Sequence, residues 1–491
     1  MKANYIGGEW ITADSARANI NPSDLSDEIG RYAQGDERQA AAAIEAATMA
    51  FPAWSLAGSQ ARAEALDQVA VELLARRDEL GDLLAREEGK TLPEAVAEVA
   101  RAGQIFRFFA GEAVRTGGER LPSVRPGVDV EITREPVGVV GVITPWNFPI
   151  AIPAWKIEPA LAYGNCVVFK PADLVPGSAW ALAEIISRTG LPRGVFNLVM
   201  GPGSRVGQAL IDHPDIDALT FTGSVDTGAR VLAGAVPRHA KVQLEMGGKN
   251  PLVVLDDADL GTAVEIAVQG SFFSTGQRCT ASSRLIVQKG ILPSFVAALT
   301  ERVRALKVDD ARLPGTQIGP VVDRAQLQTD LDYIAVGREE GARLVCGGER
   351  VARANDGFYL QPALFVDAAP SMRIAREEIF GPVACVIAAD SYEHALAMAN
   401  DTPFGLTAGV CTSSLKHATH FKRHAQAGMV MVNVPTAGVD FHVPFGGRKG
   451  SSYGPREQGR HAIEFFTTVK TAYTGLIPGR ENPVLLLCIK E

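Results

Sequence analysis

The sequence predicts an α/β protein built from two doubly wound parallel sheets in succession, with a small β arm added. Three observations carry this: short strand-like runs alternate with helical stretches after residue 120, the second half repeats that rhythm, and a β-forming segment follows the apparent end of the second repeat. Strands that alternate with helices pair in parallel, because each crossover needs a helix's length of chain and the helices then cover both sheet faces. At 491 residues the chain exceeds one compact core and has length for about three domains.

From about 36 to 113 the pattern is helical. In "ARAEALDQVAVELLARRDELGDLLAREEGK", Leu66, Val69, Ala70 and Leu73 recur at i, i+3, i+4 and i+7 with charges opposite. Gly89 marks a helix end, and the next helix starts near Thr91 with Pro93 in its first turn. After residue 120 the period shortens: "VDVEITREPVGVVGVITPWNFP" reads as β, followed by the strands "NCVVFKPA", "GVFNLVMG", "DALTFTGS" and "NPLVVLDD", with a helix over 177–189 between the first two. The second half supplies helices near 259–274, 291–306 and 392–400 and strands in "SRLIVQKG", "EIFGPVACVIAAD" and "GMVMVNV". The expected division is 1–120 with 138–245, then 246–450, with an arm made of 121–137 and 465–491. An isolated strand as apolar as "AIEFFTTVKTAYTG" is an aggregation hazard unless paired, so Phe465–Tyr473 is expected to pair with 121–137 and to dock on another subunit of a homodimer or homotetramer. Nothing in the sequence explains the apolar "PVLLLCIKE" at the end.

Composition narrows the function classes. A net charge of −8 with both signs interspersed offers no basic stripe for a phosphate backbone, which argues against nucleic acid. No stretch has the apolar length of a membrane span, and the N-terminus lacks a signal-peptide core, so the cytoplasm is expected. The cysteines at 166, 279, 346, 385, 411 and 488 are scattered, which suggests neither a disulfide framework nor a cysteine metal site. His417, His420 and His424 share a helical face in "SLKHATHFKRHAQAG", yet lysines and arginines surround them and no carboxylate is near in sequence; a solvated helix and no metal are expected.

Chemistry concentrates in "TPWNFP" (144–149), "VVFKPAD" (167–173), "FTGSVDTG" (221–228) and "LEMGGKNP" (244–251), with Cys279 in "STGQRCTAS" 34 positions after Glu245. A lone cysteine is more often buried filler than nucleophile. These blocks, with "EEIFGPV" (377–383), "NDTPFGL" (400–406) and "PFGG" (444–447), reverse that reading, because together the chain resembles the NAD(P)-dependent aldehyde dehydrogenase superfamily over essentially its whole length. The resemblance implies an aldehyde dehydrogenase-like fold and oxidation of an aldehyde to an acid. An aldehyde carbon yields hydride only after a nucleophile has added, and a thiolate adds well and later leaves from a thioester. Asn147 offers an amide donor to the resulting oxyanion beside the backbone N–H of Cys279. By resemblance Glu245 is the general base for thioester hydrolysis, assisted by Glu457 of "GPREQG".

For the cofactor, "GPGSRVG" (201–207) imitates a dinucleotide fingerprint with the wrong spacing and reads as a turn. The better phosphate site is Gly223 and Ser224, where a strand delivers the chain to a helix N-terminus. By resemblance Lys170 meets the adenosine ribose, Glu378 and Phe380 meet the nicotinamide ribose and ring, and Trp146 also lies at the cofactor. Asp173 stands where many NAD-preferring members carry Glu; a carboxylate there repels a 2′-phosphate, so NAD is favoured and NADP stays open.

The segment 435–459 with "GQRCTASSR" is most similar to members that convert 2,5-dioxopentanoate, the α-ketoglutarate semialdehyde, to 2-oxoglutarate. Its carboxylate needs a cationic or hydroxyl anchor, for which Arg278, Thr280 and His442 are candidates, with Phe445 as a further substrate contact. "FPIAIPAWKIEPAL" lacks the Arg that some semialdehyde dehydrogenases place there. Succinate semialdehyde, betaine aldehyde or an aromatic aldehyde would use the same machinery. Glu245 argues for hydrolysis rather than transfer to CoA, and a non-catalytic binding protein on this fold would be expected to lose Cys279 or Glu245.

Overall fold

The computed structural model describes residues 1–475; the remainder of the expected arm, with Cys488 and "PVLLLCIKE", lies outside the described residues. Two large sheets organise it. The first has eight strands, in the order Ser452–Tyr453, Lys241–Met246, Ala218–Gly223, Val139–Ile143, Cys166–Lys170, Phe196–Leu198, Asn4–Ile6 and Glu9–Ile11. Its five middle strands are parallel. Val139–Ile143 and Cys166–Lys170 are buried at every position, as expected for strands covered by helices on both faces. The chain begins its winding at Val139–Ile143, builds outward on one side and then on the other, which leaves a switch point at the C-terminal strand ends.

The second sheet has seven strands, in the order Arg343–Cys346, Ala363–Val366, Val383–Ala389, Arg284–Gln288, Pro251–Val254, Thr407–Cys411 and Met429–Val432, all parallel except the first pair. The segments leading into three of its strands, those before Pro251, Arg284 and Val383, carry Gly247–Gly248, Cys279 and Glu378–Phe380. They face the C-terminal strand ends of the first sheet, so the site forms where the edges of the two sheets meet.

Four helices, Glu37–Ser55, Ser59–Ala75, Arg77–Glu88 and Leu92–Ala113, occupy the segment read as helical, and Leu66, Val69, Ala70 and Leu73 are all buried. Gly89 ends the third at φ +92°, in the left-handed region that glycine reaches without a Cβ clash, and its N–H donates to Ala85 O at 3.1 Å. The fourth helix, Leu92–Ala113, matters most for the site.

One expectation needs correction, and one element was not anticipated. The strand of the arm starts at Thr467, not Phe465: Thr467–Gly475 pairs antiparallel with Val128–Pro136, which pairs in turn with Glu119–Pro122. Phe465 and Phe466 sit in the short helix Ile463–Phe466 and are buried in the core of the first sheet, because two large adjacent aromatics gain more from the core than from an exposed ribbon. The N-terminal hairpin Ala16–Asn21 with Asp24–Ala33 escaped the sequence reading, since two register shifts interrupt its alternation.

Candidate active site

The turn after Val139–Ile143 carries Asn147, buried at 3% exposure. Its Nδ2 donates to Gln277 O at 3.0 Å, which ties the turn to the backbone two residues before Cys279. Its own carbonyl accepts from Lys90 Nζ at 2.8 Å. Lys90 also pairs with Glu98 at 2.7 Å and lies 3.7 Å from the ring centroid of Phe148. Glu98 then accepts from the N–H groups of Ile150 and Ala151, both at 3.1 Å, at the start of the helix Ala151–Ala162, where unpaired donors and the helix dipole favour a carboxylate. This Lys90–Glu98 post fixes the direction of Asn147. The sequence reading missed it, because the groups lie in separate elements and only Gly89 drew attention there.

Cys279 sits on a loop held in an unusual backbone state: Ser274, Thr275 and Gly276 have φ of +50°, +56° and +67°. Two consecutive non-glycine residues there cost about 1–3 kcal/mol each, a cost the surroundings must offset. Glu94 accepts from both the N–H and the hydroxyl of Ser274, at 2.9 and 3.0 Å, while Asn250 Nδ2 donates to Cys279 O at 2.7 Å and Thr436 Oγ1 to Thr280 O at 2.7 Å. A methyl at Gly276 would lie 2.2 Å from Gly381 O, so only glycine lets the two segments approach. Burial raises the pKa of the Cys279 thiol, and Glu378 and Glu245 raise it further; a hydrogen bond from its own backbone N–H works the other way. The resting sulfur is therefore protonated and depends on a base or a bound ligand for activation.

Glu245, near the end of Lys241–Met246, is 2% exposed and accepts from Ser452 Oγ. Its pKa is raised well above the carboxylate range, first by burial and then by the charge of Glu457. Glu457 accepts from Trp155 Nε1 at 2.6 Å and is ion-paired with the buried Lys156. Two buried acids thus share one environment: Glu457 is paired within the chain, and burial with the neighbouring acid favours the protonated form of Glu245. A methyl at Gly446 of "PFGG" would come within 2.6 Å of Glu245 Oε1, so this glycine makes room for the acid.

A cavity of about 310 Å³ opens at Cys279 and is lined by Phe148, Trp155, Thr280, Phe445, Arg278 and Arg101, among others. Thr280 and Phe445, both candidate substrate contacts, line this cavity, and Phe445 stacks on Trp155 with centroids 5.5 Å apart. The other two candidate anchors stand differently. His442 is exposed, its ring 5.4 Å from that of Phe441, and it does not line the cavity. Arg278 lines it but is already paired with Glu94 at 2.8 Å, so its charge is compensated within the chain. The sequence reading overlooked Arg101.

On the nucleotide side, Lys170 ends its strand at 5% exposure, with no carboxylate within 4.0 Å among the described residues, and burial pushes its pKa down to about 8. A methyl at Gly203 would lie 3.9 Å from Lys170 Nζ, so "GPGSRVG", which forms one wide helical turn over Gly203–Gly207, borders this lysine. Gly223 closes its strand, and Ser224 caps the eleven-residue helix Val225–Ala235 by accepting from Thr227 N. Glu378 accepts from Gly248 N at 3.0 Å, and a methyl at Gly247 would fall 1.8 Å from its Oε2. Burial raises the Glu378 pKa to about 7. Phe380, at φ +66°, meets Trp146 edge to face at 5.3 Å across the two sheets. Asp173 is not free to repel a 2′-phosphate as expected, because Arg17 and Gln34 of the N-terminal hairpin region hold it at 2.5 and 2.7 Å. A buried ammonium without a counter-ion, a capped helix start and a carboxylate beside an open glycine pair fit a dinucleotide: hydroxyls for Lys170 and Glu378, and an anion for the helix start.

Fold and site define an NAD(P)-linked α/β oxidoreductase with a cysteine at the meeting edge of its sheets. Residues 10–472 match the model of the Aldehyde dehydrogenase family, and the chain belongs to that family. It is 44% identical over 474 residues to an alpha-ketoglutaric semialdehyde dehydrogenase of Bacillus subtilis (strain 168), covering 96% of this chain and 97% of that one. An alpha-ketoglutarate semialdehyde dehydrogenase of Haloferax volcanii is 42% identical over 477 residues, covering 96% and 98%. The crystal structure of a betaine aldehyde dehydrogenase from Staphylococcus aureus in complex with NAD+ superposes with a TM-score of 0.95 at 34% identity, covering 98% of this chain and 97% of that one.

Proposed function

We propose that the protein oxidises 2,5-dioxopentanoate to 2-oxoglutarate with NAD, through thioester chemistry on Cys279. The observation that carries this reading is the approach of Asn147 and Glu245, from two separate segments, to the Cys279 loop that lines the cavity, on a chain similar to two semialdehyde dehydrogenases of that substrate class. The Cys279 thiol loses its proton to solvent, the sulfur adds to the aldehyde carbon, and the oxyanion that forms takes hydrogen bonds from Asn147 Nδ2 and the Cys279 backbone N–H; such a donor lowers a barrier by about 2.7–4 kcal/mol. NAD(P), when bound, would supply the hydride acceptor for that carbon, and Lys170, the helix start at Gly223–Ser224, Glu378, Phe380 and Trp146 would hold it. Glu245, ionised for this step by releasing its resting proton to solvent, takes a proton from water as the oxygen attacks the thioester and returns that proton to the departing sulfur, which releases the acid and the Cys279 thiol; Glu457, held by Lys156 and Trp155, stands beside it.

The same reading divides the chain into a nucleotide-binding part (1–120 and 138–245), a catalytic part (246–450) and a dimerising arm. Val469, Tyr473 and Leu121 are exposed on the three-stranded ribbon and provide the apolar surface a second copy would cover. No helix among the described residues is long and apolar enough to cross a membrane. A reducing compartment, the cytoplasm, suits a reaction that needs a free thiol.

The test is rapid-mixing kinetics with Glu245→Gln and 2,5-dioxopentanoate. A burst of one NADH per active site followed by turnover slowed about 10²- to 10⁴-fold is expected, because hydride transfer precedes the step that needs the base. Unslowed turnover would remove Glu245 from deacylation. Equal kcat/KM values for 2,5-dioxopentanoate and betaine aldehyde in the native enzyme would discard the substrate and keep the mechanism.

A further inference from the structure

The helix Leu92–Ala113 lays Glu94, Glu98 and Arg101 along one face at i, i+4 and i+7, and all three line the cavity at Cys279. Charge pairing along that wall is uneven. Three cations (Lys90, Arg101 and Arg278) and two carboxylates (Glu94 and Glu98) face the cavity. Lys90 pairs with Glu98 at 2.7 Å and Arg278 with Glu94 at 2.8 Å. Arg101 has no carboxylate within 4.0 Å among the described residues, and the wall keeps one uncompensated positive charge.

The guanidinium is nonetheless built in. Its Nη2 donates to Gln458 Oε1 at 3.1 Å, its centre lies 5.8 Å from the Trp155 ring centroid, and its Nε is buried without a partner. Gln458 stands at φ +58°, a left-handed position for a non-glycine residue, immediately after Glu457. A partly desolvated guanidinium that no carboxylate of the chain meets is costly, and an anion reaching its terminal nitrogens offsets that cost. A carboxylate matches its fork with two parallel hydrogen bonds.

We propose that Arg101 is the residue that binds the carboxylate of the aldehyde substrate and selects acid aldehydes over neutral and cationic ones. This rests on the reading of the cavity as the aldehyde site. It assigns to the helix Leu92–Ala113 the role that the sequence sought in Arg278 and His442. It also separates two substrate classes that the aromatic wall alone does not: Phe148, Trp155 and Phe445 suit a quaternary ammonium as well as an alkyl chain, but an unpaired arginine among them repels a cation. Gln458 acts as a positioning residue by holding one arm of the guanidinium.

The experiment compares kcat/KM for 2,5-dioxopentanoate and for pentanal, an uncharged aldehyde of the same chain length, at saturating NAD. Native enzyme, Arg101→Met and Arg101→Lys are measured, together with the inhibition constant of glutarate. The native enzyme is expected to prefer the acid aldehyde. Arg101→Met lowers the acid-to-neutral ratio about 30- to 100-fold, mainly through KM, and weakens glutarate inhibition by a similar factor. Arg101→Lys restores part of the ratio, because a point charge replaces a fork, and it carries the test if the Met variant does not fold. A native preference that persists unchanged in both variants overturns the assignment of Arg101 and leaves the proposed function standing. Absence of any native preference for the acid aldehyde overturns the substrate reading first, and the role of Arg101 with it.

Discussion

Lys90 and Lys170 are both nearly fully buried, yet the chain treats their charges in opposite ways. Lys90 is enclosed by Glu98, the carbonyl of Asn147 and the ring of Phe148. Lys170 meets no carboxylate within 4.0 Å among the described residues, and burial alone drives its pKa down from 10.5 to about 8. The first charge is spent on architecture, where it holds the Asn147 turn; the second is paired with no carboxylate among the described residues. Arg278 and Arg101 repeat the contrast on the aldehyde side. On the proposed reading, Lys170 and Arg101 are the two of these cations that meet a ligand.

The comparison breaks most visibly at the sulfur it surrounds. Cys279→Ala should abolish dehydrogenase activity, on the order of 10⁴-fold or more, while NAD still binds by protein fluorescence titration. Retained turnover would mean that the two lysines do not serve a common nucleophile. Next come the lysines themselves. Lys90→Met strands the buried Glu98 carboxylate and should cost about 3–5 kcal/mol in denaturant unfolding. Lys170→Met should leave stability equal or higher but weaken NAD binding about tenfold. Equal stability losses in the two variants would erase the distinction between structural and ligand-binding charge.

The titration of Lys170 sharpens the same point. Its folded-state pKa lies below the ordinary lysine value, so between about 8 and 10.5 the unfolded chain holds a proton that the folded one has released. This group's contribution to stability therefore rises with pH across that window, while NAD affinity falls above about 8 as the ammonium is lost. Calorimetric unfolding and NAD titration from pH 7 to 10 would show the opposite slopes, and Lys170→Met would flatten both. The smallest effect concerns Arg17. Removing it with Arg17→Ala exposes the Asp173 carboxylate and should raise the Kd for NADP about three- to tenfold relative to NAD, a modest factor because the pair is partly solvated. An unchanged ratio would place the 2′-position away from Asp173.

What the sequence disclosed and what it withheld follow the same division. Leu66, Val69, Ala70 and Leu73 announce their helix because burial imposes a period on neighbouring residues. Cys279, Asn147 and Glu245 are visible because each stands in a short block whose neighbours shape its own turn. The Arg101–Gln458 contact spans 357 positions and the Lys90–Glu98 post draws on a turn 57 positions away, so no local pattern reveals either. The partner of an ion pair is a fact of packing: Arg278 looks like an anchor until Glu94, in a distant helix, is seen beside it. The misplaced start of the arm at Phe465 has the same origin, since two aromatics with strand propensity were drawn into a core the local sequence does not show.

The proton kept on Cys279 has a consequence for durability. Peroxide and other electrophiles attack the thiolate rather than the thiol, so a sulfur that burial and nearby carboxylates hold protonated is slow to be oxidised while the site is idle. The free enzyme should lose activity to dilute peroxide slowly at neutral pH and faster as pH rises. The burial that keeps the sulfur protonated thereby also sets how long the thiol survives.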